Sequence, residues 1–467
     1  MVRVATNAGD ETIPASIFRA YDIRGIVGTQ LNNNSVKKIG QSIGSEALEQ
    51  GINTLLVGYD GRLSSPDLSV SLIGGIRDSG CNVVSLGLVP TPLLYFATHT
   101  SKYSSGVMLT ASHNPANYNG LKIVFNQTSL ADNQIQTIRS RIEKNQLLSG
   151  QGGYEELEIN ANYIESVKSK IKLKRPLKVV VDCGNAVPGK IAPALFSALE
   201  CDVEAIFCDL DGNFPNHHPD PTVPENLDLL AEAVLKKNAD IGIALDGDGD
   251  RVGFISNQGA FINADQILML LITSIMPNYP GRAVIFDVKC SNQLRDLISQ
   301  YGGNPIMHKS GHSFMKQKMH ETNAILGGEY AAHIFIQDDW FGFDDGLYVA
   351  ARILQLLSES NESSHQLFTQ FVTGISTAEI KLSISETQKF KTMERILELA
   401  AFPKANVITL DGLRVEYNDG WGLVRASNTS PALLLRFEAD TEARLVEIQN
   451  EFKALIHNAD KSIEINF

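Results

Sequence analysis

The sequence predicts an α/β protein built from several domains, and three observations carry that expectation. The chain has 467 residues, 43% of them hydrophobic, which is too long for one ordinary domain and apolar enough for several cores. Aliphatic runs of strand length recur along it, each ending in an aspartate and passing into small residues and a helical pattern. Its 37 glycines and 7% aromatic content fit a soluble α/β chain.

The first such run is Leu55-Leu56-Val57-Gly58-Tyr59-Asp60, followed by Gly61-Arg62. The second is Val179-Val180-Val181-Asp182, followed by Cys183-Gly184-Asn185. The third is Val284-Ile285-Phe286-Asp287, followed by Val288-Lys289-Cys290-Ser291. Continuous apolar runs of this kind read as strands buried on both faces, hence parallel sheet. Their aspartates are spaced by roughly a domain length, so the runs read as an internal repeat of related α/β domains. Turn-formers place the boundaries: Leu148 to Gly153 as a first linker, and Ser256-Asn257-Gln258-Gly259 near a second. From about Gly374 to Glu386 the character changes. Alternating strands at Leu413 to Tyr417 and Ala432 to Phe437 precede an amphipathic helix near Glu442 to Ile456, which reads as a smaller α+β domain. Four domains are expected, over residues 1–153, 154–258, 259–372 and 373–467.

A net charge of -13 argues against broad contact with nucleic acid or an anionic membrane. It leaves room for an anion in a cleft that gathers a few cations. Five scattered cysteines, Cys81, Cys183, Cys201, Cys208 and Cys290, form no C-x-x-C pair and point to reduced thiols. There is no signal-peptide core and no run of roughly 18 apolar residues, so the cytoplasm is the expected location.

Four loops carry the chemistry. Thr110-Ala111-Ser112-His113-Asn114-Pro115 follows an apolar run and precedes Leu121-Lys122-Ile123; by itself it reads as a turn, since Asn before Pro breaks regular structure. A hydrolase elbow would need G-x-S-x-G, which is absent. The strand-like Ile241 to Leu245 runs into Asp246-Gly247-Asp248-Gly249-Asp250-Arg251. Three alternating carboxylates, spaced by glycines that let the backbone curl, are costly to gather without a cation. Hard oxygens suit Mg²⁺ or Ca²⁺, and the EF-hand spacing fails because Asn257 stands where the distal Glu is required. Such an ion completes its shell with water or a phosphate oxygen, and Arg251 adds a cation beside it. Gly327-Gly328-Glu329-Tyr330-Ala331-Ala332-His333 is a weak pattern alone, and H-E-x-x-H is absent. Arg425-Ala426-Ser427-Asn428-Thr429-Ser430 gathers a guanidinium, hydroxyls and an amide, a donor set suited to a phosphate.

These loops, in this order, resemble the α-D-phosphohexomutase superfamily, in its bacterial phosphomannomutase/phosphoglucomutase branch. The likeness extends to Phe18 to Gly25, Gly212 to Pro221, Gly311-His312-Ser313 and Trp340 to Gly346, and so spans the chain. The resemblance implies four domains around a central cleft, three of them related α/β units with mixed, mostly parallel sheets. It implies that Ser112 is phosphorylated and that Asp246, Asp248 and Asp250, with the phosphoserine, hold one Mg²⁺. Arg24, Lys122 and His333 match residues near the reacting oxygens, and Arg251 matches an active-site cation. Arg425, Ser427, Asn428 and Thr429 match a loop for the non-reacting phosphate, with Tyr21, Lys289 and His312 nearby. Glu329 matches a residue that grips sugar hydroxyls, whereas His217 and His218 fall in a Pro-rich loop and read as structural. The family's sugar loop usually reads Gly-Glu-x-Ser-Gly-His; here Ala331 and Ala332 replace the Ser and the second Gly, which bears on sugar preference.

The implied reaction interconverts hexose 1-phosphate and hexose 6-phosphate, of mannose and/or glucose, through a hexose 1,6-bisphosphate. The general acid/base is His333 or Lys122, and the partners are small phosphosugars; the chain is a monomer or a dimer. Other readings are a phosphoglucosamine mutase, a metal-dependent sugar phosphatase, and a non-catalytic sugar-phosphate binding protein. The Asn at 428 favours the mannose/glucose branch over the Arg-x-Ser-Gly-Thr loop typical of glucosamine enzymes.

Overall fold

In three successive sheets the aspartate-terminated runs form the central one of three adjacent parallel strands. The computed structural model describes residues 13–371, 374–427, 430–465 and 467. In the first sheet Thr54–Tyr59 pairs parallel with Asn82–Leu88 on one side and Gly106–Leu109 on the other. In the second, Lys178–Asp182 lies parallel between Asp202–Ile206 and Ile241–Leu245. In the third, Ala283–Asp287 lies parallel between Asn304–His308 and Leu326–Gly328. All three central strands are buried along nearly their whole length, as continuous apolar runs require.

The repeat extends one strand further. In every unit the chain leaves the third parallel strand by a short loop and returns antiparallel. Gly106–Leu109 is followed by Tyr118–Phe125, Ile241–Leu245 by Val252–Ser256, and Leu326–Gly328 by Ile334–Ile336. These three loops are the serine loop, the aspartate loop and the Glu329 loop. The equivalent position of each unit therefore supplies one part of the site, at the strand ends where open α/β sheets collect ligands.

The final unit is wholly antiparallel. Ala432–Ala439 pairs with Ile375–Ser376, Ile380–Ser383 and Gly420–Ala426, and the sheet continues through Leu413–Tyr417 to Asn406–Ile408. Helices Lys389–Leu399 and Glu442–Ala459 cover it, with Ile448, Phe452 and Ile456 buried. Its Arg425 loop also bridges two antiparallel strands.

Two expected boundaries fall inside sheets. Tyr154–Glu156 pairs with Asn82–Leu88, so the first sheet reaches past residue 153. Phe261–Ile262 pairs with Val252–Ser256, so the second passes residue 258. In both places the glycine-rich turn folds the chain back onto its own sheet. The third expected boundary, at 372/373, lies outside the described residues.

The units are joined by buried polar contacts. Tyr163 Oη donates to both Asp345 oxygens at 2.8 Å, and Trp340 Nε1 donates to Oδ2 at 3.0 Å. The last unit is latched to the third by Arg414, whose Nη1 donates to the carbonyls of Val288 and Cys290, the latter at 2.9 Å. Arg436 likewise donates to the Lys289 carbonyl and to Asp265, and its guanidinium lies 3.7 Å from the centre of the Tyr330 ring. All five cysteines are free thiols. No helix of the described residues is long and apolar enough to cross a membrane.

Candidate active site

A cleft of about 500 Å³ opens where the four units meet. Its wall includes Tyr21, Arg24, Ser112 and Lys122 from the first unit and Arg251 from the second. Lys289, His312, Glu329 and His333 come from the third, and Arg425 and Ser427 from the fourth. Every site residue expected from the sequence is thus gathered at one place, apart from Asn428 and Thr429, which lie outside the described residues. Asp246, Asp248 and Asp250 are not on the wall. They sit behind Ser112 with no exposed surface.

Ser112 adopts φ +50°, a left-handed conformation that costs a non-glycine residue roughly 1–2 kcal/mol. This turn aims its hydroxyl inward, where Oγ donates to Asp246 Oδ2 at 2.6 Å and lies 3.1 Å from His113 Nδ1. Gly247 packs against the serine's carbonyl so closely that a Cβ there would meet Ser112 O at 2.1 Å. Gly247 is required by that approach, and it explains one glycine of the aspartate loop. The other, Gly249, has φ +79°.

Lys122, in register with Met108 on the neighbouring strand, extends behind the serine. Its Nζ lies 2.7 Å from Asp248 Oδ2 and 2.5 Å from Asp250 Oδ2. Burial alone would lower the lysine pKa, but these two carboxylates outweigh it and hold the ammonium well above its usual range. Burial, together with the charges of Asp248 and Asp250, pushes Asp246 well up. Asp248 is also buried, yet Lys122 and the Thr91 hydroxyl, at 2.5 Å, bring it below the ordinary carboxylate value.

One ligand atom from each of the three aspartates lies within 4.8 Å of the others. Asp248 Oδ1 and Asp250 Oδ1 are buried and have no hydrogen-bond partner. Such oxygens are costly unless a cation takes them, and an all-oxygen set suits Mg²⁺. The residues present therefore fit a divalent ion beside Ser112 Oγ.

Across the cleft, Arg251 Nε donates to His333 Nε2 at 3.0 Å, and His333 Nδ1 lies 3.1 Å from Asp344 Oδ2. Asp344 also takes Lys316 Nζ at 2.8 Å and lies 3.5 Å from His312 Nδ1. Burial would raise this carboxyl, but Lys316 and the two histidines hold it well below the usual range. Asp344 is a centre of the site that sequence reasoning quoted within a motif without giving it a task. Its partners Lys316, His312 and His333 are distant in sequence, so charge patterning does not reveal it.

The far side of the cleft is less internally satisfied. Glu329 Oε1 accepts from Gly311 N at 2.7 Å, while Oε2 is buried without a partner. Burial raises the Glu329 pKa. Lys289 pairs with Glu379 at 3.1 Å, and Arg425 Nε pairs with Asp411 at 3.0 Å, leaving Arg425 Nη2 without a hydrogen bond. The Tyr21 ring meets His312 edge-on with centroids 5.0 Å apart. Ala332 occupies φ +65°, the conformation for which glycine is suited. His217 Nε2 lies 3.0 and 3.1 Å from the two oxygens of Asp182, a structural pairing in the second unit.

Four domain families match in sequence order. They are the α/β/α domains I, II and III of phosphoglucomutase/phosphomannomutase, over residues 15–149, 161–259 and 263–374, and the C-terminal domain of the same enzymes over 379–455. The chain belongs to the phosphoglucomutase/phosphomannomutase family. Among this family's members it is 51% identical to a phosphomannomutase/phosphoglucomutase of Pseudomonas aeruginosa, covering 98% of each chain. It is 45% identical to a phosphoglucomutase of Neisseria gonorrhoeae, over 96% of this chain and 98% of the other. A crystal structure of a phosphoglucomutase/phosphomannomutase family protein from Burkholderia thailandensis superposes with a TM-score of 0.93 at 42% identity, covering 97% of this chain and all of the other.

Proposed function

We propose that this chain is a phosphohexomutase that interconverts hexose 1-phosphate and hexose 6-phosphate, of mannose and/or glucose, through a phosphorylated Ser112. The observation that carries the reading is the burial of Ser112 Oγ against Asp246 at 2.6 Å, at the floor of a cleft walled by cations from four units. In the first half-reaction the Ser112 Oγ–P bond breaks as the sugar O6–P bond forms, giving a hexose 1,6-bisphosphate. In the second, the O1–P bond of the reoriented bisphosphate breaks and Ser112 recovers a phosphoryl group, releasing hexose 6-phosphate. A covalent serine divides one displacement into two similar ones.

Asp246, Asp248 and Asp250 would hold one Mg²⁺ per chain with the phosphoserine. When bound, the ion withdraws charge from the transferring phosphoryl group. Lys122 is clamped between two carboxylates and serves as a fixed cation. His333 is the better acid/base for the sugar hydroxyl: it lines the cleft, its Nδ1 faces Asp344, and its Nε2 accepts from Arg251, a bond that an arriving hydroxyl would replace. Arg425, Ser427, Asn428 and Thr429 bind the phosphate that does not react, with Tyr21, Lys289 and His312 beside them. Arg24, bonded to Asn114 Oδ1, steadies the serine loop and faces the transferring group. Glu329 takes the sugar hydroxyls. The missing hydroxyl at Ala331 leaves recognition to Glu329 and to backbone groups.

Conversion of mannose 1-phosphate, glucose 1-phosphate and glucosamine 1-phosphate tests the reading. Isomerisation of the first two, abolished in Ser112→Ala with ligand binding retained, is the expected result. Steady release of inorganic phosphate without isomerisation, or full activity in Ser112→Ala, would overturn it.

A further inference from the structure

Resting on the reaction proposed above, a second question is what forces Ser112 into its left-handed turn. The answer lies outside the cleft, at the end of the first central strand. Arg62 is nearly inaccessible to solvent, and its guanidinium faces backbone carbonyls of the serine loop. Nη2 donates to Ser112 O and Asn114 O, each at 2.6 Å. Nη1 donates to Pro115 O at 2.7 Å and Tyr118 O at 3.1 Å. One planar fork thus gathers four carbonyls of a single loop. Five donors in a fixed plane make this a task for arginine and not for lysine.

The peptide on the other side of Ser112 is held as well. Ser112 N donates to Thr110 Oγ1 at 2.9 Å, and Thr110 Oγ1 donates to Asp60 Oδ2 at 2.7 Å. Asp60 closes the loop. It lies 3.2 Å from Arg62 Nε and accepts from Arg62 N at 3.1 Å and Ser65 Oγ at 2.6 Å. The Phe214 ring, from the second unit, stands over the guanidinium with its centre 5.4 Å away. Ser112 O is therefore wedged between Arg62 on one side and Gly247 on the other.

We propose that Arg62 and Thr110, anchored on Asp60, are positioning residues that impose the φ +50° conformation on Ser112 and so set its Oγ for phosphoryl transfer. They touch neither substrate nor the transferred group. Their effect belongs to the chemical step, because the groups that bind the sugar and the distal phosphate, Tyr21 apart, come from the third and fourth units. Asp182 and Asp287 occupy the same strand end as Asp60. Asp287 reaches its own site loop, accepting from Tyr330 N at 3.1 Å, while Asp182 pairs with His217. Among the three, only Asp60 is linked to an arginine that spans its loop.

The test uses Arg62→Lys, which keeps a charge opposite Asp60 but cannot span the carbonyls, and Thr110→Val, which removes one hydroxyl and leaves no buried charge unpaired. Each is assayed for kcat and KM on a hexose 1-phosphate, with thermal unfolding in parallel. The expected result is a kcat about 100-fold lower in Arg62→Lys and a smaller loss in Thr110→Val, at unchanged KM and with a folded protein at assay temperature. If Arg62→Lys does not fold, Thr110→Val alone decides. Wild-type kcat in Thr110→Val would overturn the proposal. So would a loss of kcat matched by the fraction unfolded. Absence of isomerisation or of phosphate on Ser112 in the wild-type protein would instead defeat the reaction on which the inference rests.

Discussion

The two ends of the cleft are built on opposite plans. At the serine end most charges are paired with one another, since Lys122 spans Asp248 and Asp250 and Ser112 Oγ is bonded to Asp246, and the open carboxylate oxygens, Asp248 Oδ1 and Asp250 Oδ1, face the place of the proposed ion. At the far end, polar atoms stand without hydrogen bonds, among them Glu329 Oε2, Arg425 Nη2 and both His312 nitrogens. The first arrangement is prepared for charge that develops during reaction, where preorganisation is most valuable. The second is completed by a ligand that must arrive, turn over and leave. Chemistry and grip thereby fall mainly to the first two units and the last two, with His333 of the third unit the exception on the side of chemistry and Tyr21 of the first the exception on the side of grip.

Substitutions at the two ends should therefore fail in different kinetic parameters. Asp248→Asn removes a proposed metal ligand and frees one side of Lys122. Initial rates at saturating substrate should fall about 1000-fold, with KM little altered. Chelation should mimic that loss in the wild type, and added Mg²⁺ should reverse it. Arg425→Ala, at the far end, should act the other way. Losing charge-assisted bonds to a phosphate should raise KM about 10- to 100-fold, with a smaller fall in kcat. If both variants altered the same parameter, the separation between the ends would be lost.

Two smaller effects sharpen the contrast between site and scaffold. Ala332→Gly should stabilise the protein by at most about 1 kcal/mol, read by denaturant unfolding, because it relieves a positive φ while adding chain entropy. His217 is a scaffold pairing. Burial would lower its pKa, but the bond to Asp182 outweighs this and raises it above the usual value. A raised histidine contributes stability that is fully present below its unfolded pKa and lost as pH rises through the folded one. The difference in unfolding midpoint between wild type and His217→Gln should therefore shrink from about pH 6 to about pH 8.

Much of this organisation was legible in the residues. The apolar runs ending in Asp60, Asp182 and Asp287 do mark the central strands, because a strand buried on both faces has no polar alternation to obscure it. The aspartate loop was legible as a group that could hold a cation, and the fold brings one oxygen of each of its three carboxylates within 4.8 Å of the others. The boundaries at 153 and 258 were harder, because a glycine turn looks the same whether it leaves a sheet or re-enters it. Arg62 and Asp344 stayed hidden for a different reason. Each acts through partners distant in sequence: Arg62 through carbonyls fifty and more positions away, and Asp344 through histidines and a lysine on other elements. Nothing local distinguishes such a residue from a solvated charge.

The central claim is that the buried hydroxyl of Ser112 carries the phosphoryl group between sugar positions. Peptide mapping of the purified, active protein by mass spectrometry reads this directly. The account predicts a phosphoryl group on the peptide containing Ser112, lost on treatment with excess hexose phosphate as bisphosphate is released. A preparation that isomerises hexose phosphates while Ser112 stays unmodified throughout turnover would contradict it.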